Sequence, residues 1–205
     1  MGFTDAIWQP GYGIKSTLKI ITFLFVPFYY GGVNKNIKLK SLFVFRRKGM
    51  IHGILMGAGV YAFILACYFT IGTFFNFSRV TEALNENMGV TRENFVFVAI
   101  YISFVNSLLE EFFFRGFVFT NLKRLGGRKS AYWISATAFG LYHIAMMRGW
   151  FSFWLFILLL MALVGAGIFF NWLNEKQENI YNSWFVHMSA NFSINTVGFI
   201  LFGIL

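Results

Sequence analysis

Six apolar runs follow one another along this chain, most of them near the length that crosses a bilayer. They extend approximately over 18–33, 50–77, 94–120, 131–147, 150–173 and 183–205. A hydrocarbon core takes about 20 mostly apolar residues per helix, so the chain reads as an all-α, polytopic transmembrane bundle of about six helices. Five runs read as clear spans. The first is short, contains Lys19 and Pro27, and reads as either a span or an interfacial helix. With 58% apolar and 12% charged residues in 205, a soluble domain is excluded. Residues 1–205 form one membrane-embedded domain, with no linker or internal repeat.

The formal charge of +9 does not point to nucleic acid, because the cations sit mostly in two short connections. Lys35, Lys38, Lys40, Arg46, Arg47 and Lys48 fall in the first; Lys123, Arg124, Arg128 and Lys129 fall in the second. Loops of this kind stay on the cytoplasmic side. The 78–93 connection balances its charges and the Arg148–Gly149 turn carries a single cation, so both belong outside, and the alternation brings 174–182 back inside. The N-terminal stretch MGFTDAIWQPGYGIK lacks the pattern of a signal peptide. Cys67, the single cysteine, reads as a packing residue and rules out an intrachain disulfide. Gly53 and Gly57 form a small-xxx-small pair suited to close helix contact. His52, at a helix start beside the basic loop, reads as interfacial.

Ionisable groups within apolar runs are costly, about 2.5–3.5 kcal/mol each on an insertion scale, and they require a reason. Glu110, Glu111 and Arg115 interrupt the third run, His143 the fourth, and His187 with Asn191 the last. Helical spacing puts Glu111 with Arg115, Phe139 with His143, and His187 with Asn191 on shared faces. Ser183, His187, Asn191 and Asn195 draw a polar stripe along the last helix. Counted from the cytoplasmic ends at about 1.5 Å per residue, the polar groups lie roughly 6–18 Å deep, in one layer. A shared cavity fed by three helices is the expectation.

A buried carboxylate beside histidine can take a proton from water, and amide or imidazole donors can stabilise an oxyanion. Peptide-bond hydrolysis lies within that repertoire. Glu110, His143 and His187 also suit a divalent metal such as zinc, which would acidify bound water, so the cofactor stays open. The chain has no HExxH and no rhomboid-type serine segment, and its only aspartate is Asp5, which leaves no aspartyl dyad.

EEFFFR at 110–115, FGLYH at 139–143 and HMSAN at 187–191 match, in order, the EExxxR, FxxxH and HxxxN motifs of the CPBP family. The chain therefore resembles the CAAX proteases and bacteriocin-processing enzymes, also called Abi proteins, which include the type II CAAX prenyl endopeptidases. The likeness covers 94–205, the motif-bearing core. It implies an intramembrane endopeptidase of glutamic or metal-dependent type, acting on a membrane-associated peptide or protein near the cytoplasmic face, with a bacterial cytoplasmic membrane as the expected location. It implies Glu110 as the base, His143 as its helper, His187 and Asn191 as an oxyanion pair, and Glu111 with Arg115 as orienting groups, Arg115 also being suited to a substrate carboxylate or carbonyl. The alternative is a non-enzymatic membrane protein of the bacteriocin self-immunity type or a regulatory partner, which would tolerate His143→Ala or His187→Ala. A proton- or ion-coupled transporter is a third class; the chain is short for it and lacks inverted repeats.

Overall fold

In a computed structural model every apolar run becomes a helix, as hydrocarbon demands of a backbone that has no water to bond. The structure describes residues 12–34, 39–44, 47–147, 150–177 and 179–205. Readings that rest on residues 1–11, Lys35, Lys38, Arg46 and the Arg148–Gly149 turn lie outside these. Helix α1 covers 12–33, α2 Arg47–Thr70, α3 Ser78–Met88, α4 Phe95–Gly126, α5 Arg128–Met147, α6 Phe153–Gln177 and α7 Tyr181–Leu201.

Among the described residues four helical stretches are long and apolar enough to cross a membrane: Ser16–Val33, Gly49–Thr70, Phe95–Gly126 and Phe153–Lys176. The first run thus has the length and hydropathy of a span. Two runs expected as clear spans, within α5 and α7, are long enough but too polar to count among the four. Their polar side chains face protein: Ser135, Ser183, His187, Ser193 and Asn195 are all buried. Boundaries shift in two places. The 50–77 run breaks after Thr70 into a short 3-10 turn, and α4 continues past 120 to Gly126. The 78–93 connection contains α3, which ends on Gly89 at φ +64°, a left-handed geometry that glycine adopts without strain.

Helix α7 packs on α2 through glycine. A Cβ on Gly53 would lie 2.8 Å from Asn182 Oδ1 and 3.2 Å from its Cα, and one on Gly57 would collide with Ser189 Oγ. The small-xxx-small pair therefore lets two backbones approach, as expected. His52 is exposed at the start of α2, and Cys67 is half-buried and free.

The loops assigned to one side do share one end of the bundle. The Ile180 amide donates to the Leu42 carbonyl at 3.1 Å, and Leu39, Leu42, Phe112 and Ile180 form a buried cluster there. Glu175 accepts from Lys123 at 2.9 Å, from Arg128 Nε at 3.0 and 3.1 Å, and from the Tyr132 hydroxyl at 2.8 Å. That acidic residue clasps the end of α4 and the start of α5 to the end of α6.

Candidate active site

Helix α4 carries the adjacent acids, and it is irregular where they sit. It widens to π geometry over Tyr101–Asn106 and again over Glu111–Phe119. Widened turns strain the backbone ladder, and they gather at functional sites. Polar side chains bond the carbonyls around both segments. Asn195 donates to the Ala99 carbonyl at 3.2 Å, Asn191 to Ile102 at 3.1 Å, and the Trp184 indole to Phe104 at 3.2 Å. Farther along, Ser135 donates to the Phe114 carbonyl at 2.9 Å, Thr120 to Arg115 at 2.9 Å and Asn121 to Phe117 at 2.6 Å. The polar stripe of α7 thus faces α4.

Glu110 and Glu111 are both buried, and they part in direction. Glu111 Oε1 meets His187 Nδ1 at 2.8 Å and lies 3.2 Å from Arg115 Nη1. Glu110 turns the other way. Its Oε1 accepts from Lys19 Nζ at 2.8 Å and from Asn106 Nδ2 at 2.8 Å, while Lys19 also donates to Asn106 Oδ1. Its Oε2 lies 3.8 Å from His143 Nε2 and 3.7 Å from His187 Nε2, and has no hydrogen-bond partner among the described residues.

The imidazoles are oriented from behind. His143 Nδ1 lies 2.8 Å from the Phe139 carbonyl, which only accepts, so Nδ1 carries the proton. The carboxylate of Glu111 sets His187 the same way. When a ring so oriented is neutral its Nε2 is the lone-pair nitrogen, and the Nε2 atoms of both face Glu110 Oε2. Phe139 is the common wall: its ring meets His143 edge-on at 4.8 Å and His187 at 5.7 Å, and carries the Arg115 guanidinium 4.1 Å above it. Phe170 stacks on His187 at 5.1 Å and takes the guanidinium at 4.9 Å. Arg115 has no exposed surface, and none of its nitrogens completes a hydrogen bond among the described residues. Its environment is aromatic.

Glu110, Glu111, Arg115, His143 and His187 thus meet around one locus, and Asn191 lines the neighbouring α4–α7 seam with one of its two amide protons committed to Ile102. Lys19 and Asn106 were not among the candidates. A lysine inside an apolar run was the available signal for the first, and an asparagine four residues before Glu110 for the second.

As a cage for a divalent metal the donor set is poor. Among the described residues no group of three or more His, Cys, Asp or Glu side chains is disposed to hold one. Lys19 also lies on the same carboxylate that a metal would need, and with Arg115 it already balances the two acids in charge. The cluster at Glu110, His143 and His187 is better suited to a water.

Neither a curated protein nor a solved structure matches the chain. A family model does, described as type II CAAX prenyl endopeptidase Rce1-like, over residues 92–193. That interval begins just before α4 and ends within α7, enclosing all three motifs. A family of endopeptidases and a bundle with four membrane-length apolar helices together describe an integral membrane protease, and the chain belongs to the CAAX endopeptidase family.

Proposed function

We propose that the chain is an intramembrane endopeptidase in which Glu110 activates a water molecule for attack on a peptide carbonyl. One observation carries this reading: a buried carboxylate oxygen with no hydrogen-bond partner among the described residues, 3.7 and 3.8 Å from the Nε2 atoms of two imidazoles. Those separations exceed a direct hydrogen bond, and a water seated beside the three atoms is within reach of each. With neutral imidazoles all three atoms accept. A water held there donates one proton to Glu110 Oε2 and the other to an imidazole Nε2, which leaves an oxygen lone pair directed at substrate.

The chemistry then balances without another reactant. The water oxygen bonds to the carbonyl carbon as its proton passes to Glu110 Oε2, and the carbonyl π pair moves onto oxygen. The second amide proton of Asn191 is a donor for that oxyanion. When the C–N bond breaks, the proton held by Glu110 goes to the departing nitrogen, and the carboxylate is restored. Glu111 keeps His187 in the required tautomer, and Arg115 neutralises Glu111. The substrate is a membrane-associated peptide or protein, cut near the membrane face where the basic loops lie; we place that face in the cytoplasm, from loop charge.

The test compares membrane peptides from cells carrying wild type and Glu110→Ala, followed by purified enzyme in proteoliposomes. The proteoliposome probes are an internally quenched peptide ending in S-farnesyl cysteine plus three residues, and its unprenylated twin. New termini and cleavage are expected with wild type alone. Undiminished cleavage by Glu110→Ala defeats the mechanism, and the ratio between the two probes reads the requirement for a prenyl group.

A further inference from the structure

We infer that Lys19 is a positioning residue for Glu110, a part of the active site supplied by a helix that lies outside the family-matched interval. The inference rests on the hydrolytic reading above and deepens it. Lys19 belongs to α1, whereas the match begins at residue 92. Its ammonium touches Glu110 Oε1 at 2.8 Å, bonds to Asn106 Oδ1, and lies 4.7 Å from the Tyr142 ring centroid and 5.8 Å from that of Phe23. The side chain is only 12% exposed.

Two consequences follow from that placement. The first is directional. Lys19 and Asn106 hold Oε1 from two sides, and Asn106 is itself held by the lysine, so the carboxylate plane is fixed and Oε2 is delivered to both imidazoles. Without the ammonium, Asn106 alone holds the carboxylate, and rotation about its last torsion turns Oε2 away. The second is electrostatic. With neutral imidazoles the buried layer contains Glu110, Glu111, Arg115 and Lys19, two anions and two cations. Removing Lys19 leaves an uncompensated anion in a low-dielectric layer, which breaks a buried pair at high cost.

The aromatic surroundings fit an ammonium held for its charge. Tyr142 follows the FxxxH phenylalanine by three positions, and its ring packs on His143 at 5.0 Å on one side while facing Lys19 on another. That gives Tyr142, otherwise without an assignment, a place in the site: it shields the Lys19–Glu110 pair and borders the histidine.

Two measurements on the full chain test this. In the first, thermal unfolding in detergent is compared for wild type, Lys19→Met, Glu110→Gln and the double variant. The melting temperature should fall in Lys19→Met and recover in the double variant, because the unpaired carboxylate is gone; shifts that simply add would overturn the contact. In the second, kcat and KM are measured with the farnesylated quenched peptide in proteoliposomes. Lys19→Met should lower kcat by about 10- to 100-fold, the cost of a misplaced catalytic group, with KM little changed. Lys19→Arg or added propylammonium with Lys19→Ala should restore part of the loss, which a purely structural lysine would not allow. A Lys19→Met enzyme with kcat within about twofold of wild type, or a loss that neither arginine nor the amine relieves, sinks the assignment. Failure of the general mechanism looks different: there Glu110→Ala itself still cleaves.

Discussion

Two acidic centres in this molecule gather cations, and they do so to opposite ends. Glu175, at the end of the bundle, receives Lys123, Arg128 and Tyr132, so both its oxygens are bonded. Glu110, in the interior, has one oxygen held by Lys19 and Asn106, and the other, beside two histidines, has no hydrogen-bond partner among the described residues. The partly exposed acid with both oxygens bonded acts as a clasp between helices. Its buried counterpart keeps an unsatisfied oxygen where dissatisfaction is costly, as the base proposed above requires. The contrast teaches that burial and ion pairing do not by themselves mark a site; what sets Glu110 apart is an unpartnered carboxylate oxygen facing two imidazoles.

The largest expected effect breaks the contrast on the reactive side. Glu110→Gln keeps size and one acceptor but cannot take a proton, and cleavage of the quenched peptide should fall by about 10²- to 10⁴-fold, the range general-base catalysis supplies. Circular dichroism should still report a helical bundle. A Glu110→Gln enzyme near wild-type rate would make this carboxylate another clasp.

Glu111→Gln sharpens the comparison between neighbours. Its side chain bears on His187, not on Glu110 Oε2, so the proposed base survives while the histidine loses the carboxylate that orients it. A fall of about 10- to 100-fold is expected, the usual size for a partner that orients a reacting group from behind. Equal losses at 110 and 111 would mean that the two acids act as one unit, and the division of labour drawn from their geometry would fail.

The sequence made one half of this picture visible. Apolar run lengths gave six of the helices to within a turn or two, and loop cations grouped the connections that share an end. Three spaced motifs identified the groups that converge. Each of those signals is local, or is a pattern along one helix. What stayed hidden depends on which helices touch. Lys19 is about ninety positions from Glu110, and nothing near it names an acid partner. Glu175 lay in the 174–182 connection, which alternation alone brought inside, although it closes that end of the bundle. The extension of α4 to Gly126 was masked because Asn121 and Lys123 resemble a loop, when Asn121 in fact bonds back to the Phe117 carbonyl. Phe139 stood in the motif beside His143, but its role as a wall for two imidazoles and a guanidinium emerges only in three dimensions.

Phe139→Leu therefore probes the wall itself. The substitution keeps an apolar side chain and the backbone carbonyl that orients His143, but removes the ring face under Arg115. A desolvated cation–π contact is worth about 2 kcal/mol, and part of that should reappear as lower thermal stability. Cleavage should decline by about tenfold, less than on removal of either acid, because the reacting atoms keep their direct partners. A larger loss than that of Glu111→Gln would place the determinant of geometry in the aromatic packing and not in the carboxylate.

Glu175→Gln should have the smallest effect, and it tests the other side of the contrast. Lys123 and Arg128 are 42% and 66% exposed, so solvent already screens their attraction to Glu175. Pairs so exposed contribute little, and the glutamine retains an acceptor for Tyr132. The melting temperature in detergent should drop by a few degrees at low salt, and the gap should narrow as salt rises, because screening weakens the wild-type clasp first. Cleavage of the quenched peptide should stay within about twofold of wild type. If Glu175→Gln instead lowered kcat without lowering stability, the clasp would be transmitting something to the interior, and two carboxylates that differ so plainly in how their oxygens are occupied would have to be treated as one coupled system.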